Sequence, residues 1–185
     1  MIIGSSHAIR FSNKYGRGGM LTERGRRAGL ALSGQNLSGL AEEVKTIAEQ
    51  SGGVLCFIGA NDMKRLAVEV LNGNVTKKAA ENQLGAAMGN LVRVLCKTFS
   101  AKIVVCETIS CRWKRLDEDW RVVTGKLEYH VCRVPRKHER IIFVPVNHLF
   151  TISHYERFIG PYRRRDFVHL NKKGYSIIAE ELSSL

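Results

Sequence analysis

The chain has 185 residues, enough for one domain with a sizeable core. Hydrophobic residues make up 44% and charged residues 25%, a balance that excludes a disordered or low-complexity chain. Lys and Arg number 29 against 17 Asp and Glu, so the formal charge is +12. That excess points to an anionic partner (nucleic acid, acidic lipid or acidic protein), with solubility alone as the plain alternative.

Met1–Gly4 reads as a short apolar strand that runs directly into Gly4-Ser5-Ser6-His7, with no basic leader or cleavage site before it. No apolar run approaches the roughly 18 residues that a bilayer span needs. The expectation is an intracellular, cytoplasmic protein with neither signal peptide nor transmembrane segment. Ala28–Ser33 reads as a second strand, followed by Ser33-Gly34-Gln35-Asn36. Leu37, Leu40, Ala41, Val44, Ile47 and Ala48 then share one helical face, and Gly52-Gly53 stop that helix.

Val54–Gly59 is the third expected strand, followed by Gly59-Ala60-Asn61-Asp62. Ala80, Leu84, Ala87, Leu91 and Leu95 make a second helical stripe, and Lys102–Glu107 a fourth strand. Cys111–Arg140, rich in Arg, Lys and Trp, is expected to hold one helix and a surface excursion. Ile141–Pro145 is the fifth strand. Tyr175, Ile178, Ala179 and Leu182 form the last stripe, opened by Asn171 as an N-cap.

Apolar strands alternating with helices imply a parallel sheet covered on both faces. The expected fold is α/β: a flavodoxin-like three-layer α/β/α sandwich with a five-stranded parallel sheet, formed by residues 1–185 as one domain. Five cysteines, an odd number with no CxxC pair, read as buried free thiols in a reducing compartment. Cys106, Cys111, Cys132 and His138 match no familiar zinc spacing, so no metal and no cofactor is expected.

In such a sheet, ligands bind beyond the carboxyl ends of the strands. The residues there are a hydroxyl at Ser6, a flexible amide at Gly34, a carboxamide at Asn61 and the pair Asp166 and His169. That inventory suits acyl transfer. Ser6 needs a base, His169 can take its proton, and Asp166, three residues earlier, can hold the imidazole in one tautomer. The backbone N–H groups of Ser6 and Gly34 and the side-chain amide of Asn61 can meet an oxyanion. Asp62 reads as structural, and His7 as a neighbour of the nucleophile rather than its base.

These blocks, in this order, resemble the SGNH (GDSL-like) hydrolases. Gly4-Ser5-Ser6 is similar to the family's Gly-Asp-Ser, with Ser5 where Asp is usual. Ser33-Gly34, Gly59-Ala60-Asn61-Asp62 and Asp166-Phe167-Val168-His169 are similar to the remaining blocks. The resemblance spans nearly the whole chain. It implies a serine esterase with Ser6, Asp166 and His169 as triad and Ser6, Gly34 and Asn61 as oxyanion hole, acting on small-molecule or lipid esters. A compact basic domain without a leader also resembles the esterase domains in the first open-reading-frame protein of some non-LTR retrotransposons. Those sit beside RNA-binding segments and have been linked to lipids.

Arg163, Arg164 and Arg165 adjoin Asp166 and read either as a solvated charge run or as a cationic rim for anionic substrate or headgroups. Phe150–Tyr162 reads as an apolar wall or lid, or as core packing. Trp113 and Trp120 lie among basic residues and suit a membrane interface, a nucleic acid or a docking helix. The rival from another class is a non-catalytic module that uses its charge to hold RNA or anionic lipid. A flavin or nucleotide binder is disfavoured, because the first loop lacks a phosphate-cradling glycine pattern.

Overall fold

The computed structural model describes residues 1–15, 27–109, 118–150 and 170–185. Six strands form one sheet: β1 (Ile2–Gly4), β2 (Arg27–Ala28), β3 (Ala31–Leu32), β4 (Val54–Phe57), β5 (Ile103–Cys106) and β6 (Ile141–Val144). Their spatial order is β2-β3-β1-β4-β5-β6. The five strands β3-β1-β4-β5-β6 are parallel, and β2 adds an antiparallel edge. The expected parallel sheet is therefore present in flavodoxin-like order. The stretch expected as one strand over Ala28–Ser33 is instead two, broken by a turn at Gly29, where φ is +56°.

The alternation of side chains in the strands explains the three layers. Ile3, Val54, Cys56, Ile103, Val105 and Ile141 point to one core, and Ile2, Leu55, Phe57, Val104, Cys106 and Val144 to the other. Both faces of each strand are apolar, so helices must cover both. On the first face lie α2 (Leu37–Lys45), α3 (Ala60–Leu71), α4 (Lys77–Thr98) and α5 (Glu118–Lys137). On the second lie α1 (Ser6–Tyr15) and α6 (Lys172–Ser183).

Local signals set the helix ends. Asn36, Thr76 and Asn171 cap α2, α4 and α6 by accepting N–H bonds from Gly39, Ala79 and both Lys173 and Gly174. The Asn171 cap is the one expected from the sequence. Helix α2 ends earlier than its stripe suggests. Thr46 turns back, its N–H and hydroxyl both bonding Glu43 O, and leaves Ile47 and Ala48 outside the helix. The helix expected within Cys111–Arg140 is α5, and it carries Pro135 inside its last turn. None of the helices among the described residues is long and apolar enough to cross a membrane.

Candidate active site

Strand β1 ends at Gly4, whose φ of +126° carries the chain sharply out of the sheet. A Cβ there would sit 2.0 Å from Phe57 O on β4, so only glycine fits this close approach. The Ser5 N–H donates to that same oxygen at 2.8 Å, and the Ser5 carbonyl accepts from Ala8 and Ile9. Ser5 thus opens α1, and Ser6 is its first residue, half-buried at the helix N-terminus. At that position the helix dipole adds positive potential.

Strands β3 and β4 flank β1, and their loops hold the next two candidates. Gly34 has φ of +83° and is exposed, and a Cβ there would meet nothing within 4 Å. Its backbone conformation, not crowding by the protein, calls for glycine. Asn61, half-buried in the first turn of α3, donates through Nδ2 to Gln35 O at 2.8 Å. A carboxamide nitrogen carries two protons, so one remains for another acceptor. Next to it, Asp62 is buried and its Oδ2 accepts the Leu37 N–H at 3.0 Å. Burial pushes the Asp62 carboxyl above its ordinary range, against the lowering effects of that bond and of Arg65. Ser6, Gly34 and Asn61 therefore follow the carboxyl ends of three adjacent strands, Ser6 and Asn61 in the first turns of α1 and α3 and Gly34 in the loop after β3.

His7, next to Ser6 in the chain, is buried with Nδ1 2.9 Å from the Tyr175 hydroxyl. This pair joins the first turn of α1 to the first turn of α6. Phe11 packs edge-on to Tyr175 at 6.4 Å between ring centres and against Phe57 at 5.1 Å. His7 acts as a core fastener between α1 and α6.

Glu107, at the carboxyl end of β5, was not singled out by sequence reasoning. It is buried, and its Oε2 accepts the N–H groups of Val146 (3.0 Å) and Asn147 (2.8 Å), while Oε1 accepts from Arg136 at 3.2 Å. It ties the loop after β6 to α5. The available signal was a lone acidic residue closing an all-apolar strand. Glu107 and Ser5 line the same cavity of about 10 Å³, roughly the space of one water.

Asp166, His169, Arg163, Arg164 and Arg165 lie outside the described residues, as do Trp113 and the segment 151–162. Cys56, Cys106 and Cys132 are buried free thiols, and Cys96 is partly exposed. Among the described residues no cluster of His, Cys, Asp or Glu has the grouping to hold a metal ion.

No family model matches the chain. No curated protein matches it either. Among solved structures it is similar to LAE5, described as an alpha/beta hydrolase enzyme from the metagenome of Lake Arreo, Spain. The TM-score is 0.67 with 18% sequence identity, covering 99% of this chain and 92% of that one. At that identity the likeness establishes a shared α/β fold.

Proposed function

We propose that this chain is a serine esterase of the SGNH kind that cleaves carboxylic esters, acetyl or other short acyl groups foremost. The observation that carries the reading is that Ser6, Gly34 and Asn61 each follow the carboxyl end of one of the neighbouring strands β1, β3 and β4. The bond from Asn61 to Gln35 O holds the carboxamide against the Gly34 loop. The description of LAE5 as a hydrolase supports the coarse class.

In this reading Ser6 Oγ attacks the ester carbonyl carbon and its proton passes to His169. The C–O bond to the alcohol then breaks, and His169 returns the proton to the departing oxygen. Water attacks the acyl-Ser6 ester with His169 again as base, which frees the acid and restores the hydroxyl. Asp166 orients and stabilises the imidazole. The N–H groups of Ser6 and Gly34 and the Asn61 amide meet the tetrahedral oxyanion. Only Leu170 and Asn171 separate His169 from α6, whose first turn is fastened to that of α1 through His7 and Tyr175. The Arg163–Arg165 run beside Asp166 would favour anionic substrates or headgroups.

The test is hydrolysis of p-nitrophenyl acetate and longer-chain esters by wild type, Ser6→Ala and His169→Ala. Activity present in wild type and absent in both variants supports the triad, and the chain-length profile sizes the acyl pocket. Turnover retained in a clean Ser6→Ala preparation overturns the nucleophile assignment.

A further inference from the structure

A groove runs between α4 and α5, on the sheet face opposite α1 and α6. Its cationic lining is Lys78, Arg133 and Lys137, and the acid among its lining residues is Glu81. Glu81 is engaged with Lys78 at 3.9 Å and His130 at 3.4 Å. Arg133 and Lys137 have no carboxylate partner among the described residues. At the same flank Lys126 sits against Lys77, and that proximity presses the Lys77 ammonium below its ordinary pKa. A polyanion would find several positive charges close together on this flank.

Two further features give the groove a direction. Gly85 and Ala86 line it, and a Cβ on Gly85 would meet nothing within 4 Å. These two small residues leave that stretch of the groove wall without a bulky side chain. One position before the groove-lining His130 on α5, Tyr129 is 61% exposed, the most exposed large hydrophobic side chain among the described residues. Its ring is propped edge-on by His130 at 5.4 Å. An aromatic platform beside a cationic channel is the arrangement that binds single strands, bases stacking while phosphates follow the charge.

We propose that the α4–α5 groove is a binding site for single-stranded nucleic acid, with phosphates along Lys126, Arg133 and Lys137 and a base stacked on Tyr129. A concave channel with one exposed ring fits a strand better than a flat bilayer. The proposal is independent of ester hydrolysis.

The experiment measures binding of a fluorescent single-stranded RNA homopolymer to the full chain across a salt series. The variants are Lys126→Gln/Arg133→Gln/Lys137→Gln, Tyr129→Ala, and Arg163→Gln/Arg164→Gln/Arg165→Gln. The groove triple variant should flatten the slope of log K against log salt by about 2, at about 0.7 for each phosphate that is no longer neutralised. Tyr129→Ala should weaken binding roughly tenfold or more, with the slope kept. Ester hydrolysis should be unchanged in both. Binding insensitive to the groove variants, or lost only with the Arg163–Arg165 variant, overturns the proposal. So does capture by phosphatidylserine vesicles without RNA binding.

Discussion

Asp62 Oδ2 accepts the Leu37 N–H at 3.0 Å, so a carboxylate from the first turn of α3 caps the first turn of α2. The bond is buried and joins the first turns of α2 and α3, close in sequence to Gly34 and Asn61. Asp62→Ala leaves the Leu37 N–H without its acceptor and should cost about 1–3 kcal/mol. Asp62→Asn keeps an acceptor oxygen and should cost less. The pH dependence separates the two effects. Burial raises the folded pKa above the ordinary 3.8, so the folded state binds the Asp62 proton more tightly than the unfolded state. Stability from this group is complete below the unfolded pKa and declines as pH rises through the folded one. The stability of wild type relative to Asp62→Asn, read from urea unfolding, should therefore fall with rising pH across the acid range and level off near neutrality. A difference that grows with pH there contradicts the burial effect.

Asn61 lends itself to a comparison of rate with stability. Its bond to Gln35 O is partly buried, and losing it should cost about 1 kcal/mol, a few degrees in Tm for a chain of this length. As an oxyanion donor it should matter far more to the barrier. Asn61→Ala is expected to lower kcat by about 10²–10³ with KM little changed. A drop of only a few fold, in line with the Tm change, would reduce Asn61 to a loop tie.

Ser5 stands where the SGNH hydrolases of the proposed reading usually have Asp, and its surroundings give that difference a physical setting. The small cavity it lines is shared with Glu107, whose carboxylate already collects two backbone N–H groups and Arg136. A second carboxylate there would face like charge in a buried site. Ser5→Asp should destabilise the fold by about 1–3 kcal/mol at neutral pH, with the deficit shrinking on acidification as the introduced carboxyl takes a proton. Thermal melts at pH 5 and pH 8 check both parts. An equal or greater Tm at pH 8 would show that the cavity welcomes the charge.

What the sequence made legible follows from which interactions are local. The parallel strands could be found because strands buried on both faces need unbroken apolar runs, as in Val54–Phe57 and Ile103–Cys106. The Asn171 cap could be found because its bonds reach only two and three residues ahead. Helix α3 was missed as an element although Met63, Leu66, Ala67 and Val70 keep helical spacing. The motif at its start, Gly59-Ala60-Asn61-Asp62, is read from the sequence as a block of site residues. The ties that position the site were not legible. His7 to Tyr175 spans 168 residues, Asn61 to Gln35 spans 26 and Glu107 to Asn147 spans 40, and no local pattern announces such partners. The break in the second strand at Gly29 was missed because Ala28–Ser33 is apolar on both sides of the turn.

The thiols should divide by burial. Desolvation pushes the Cys56 and Cys132 thiols up to about 12 and Cys106 higher still, so almost no thiolate exists there at pH 8. Cys96 is partly exposed at the edge of α4, near His138, and its thiol is raised by a milder desolvation. Among these four, Cys96 should be alkylated first in native protein, with Cys56, Cys106 and Cys132 reacting only after denaturant is added. Peptide mapping of iodoacetamide-treated samples decides it. Native labelling of Cys56 at a rate near that of Cys96 would mean the core opens far more readily than its packing implies.

Gly4 and Gly34 both have positive φ, yet they should respond differently to the same added methyl. At Gly4 the Cβ would press to 2.0 Å of the Phe57 carbonyl, and β1 cannot withdraw without losing its register with β4. Gly4→Ala should therefore fail to fold or lose several kcal/mol. At Gly34 the surroundings are open and only the left-handed backbone resists, a strain of about 1–2 kcal/mol. Gly34→Ala should fold. If its N–H serves the oxyanion, however, the shifted backbone should lower kcat well beyond what the Tm change accounts for. Measured side by side, a folded Gly34→Ala with full esterase activity would remove Gly34 from the oxyanion hole and leave Ser6 and Asn61 as its donors.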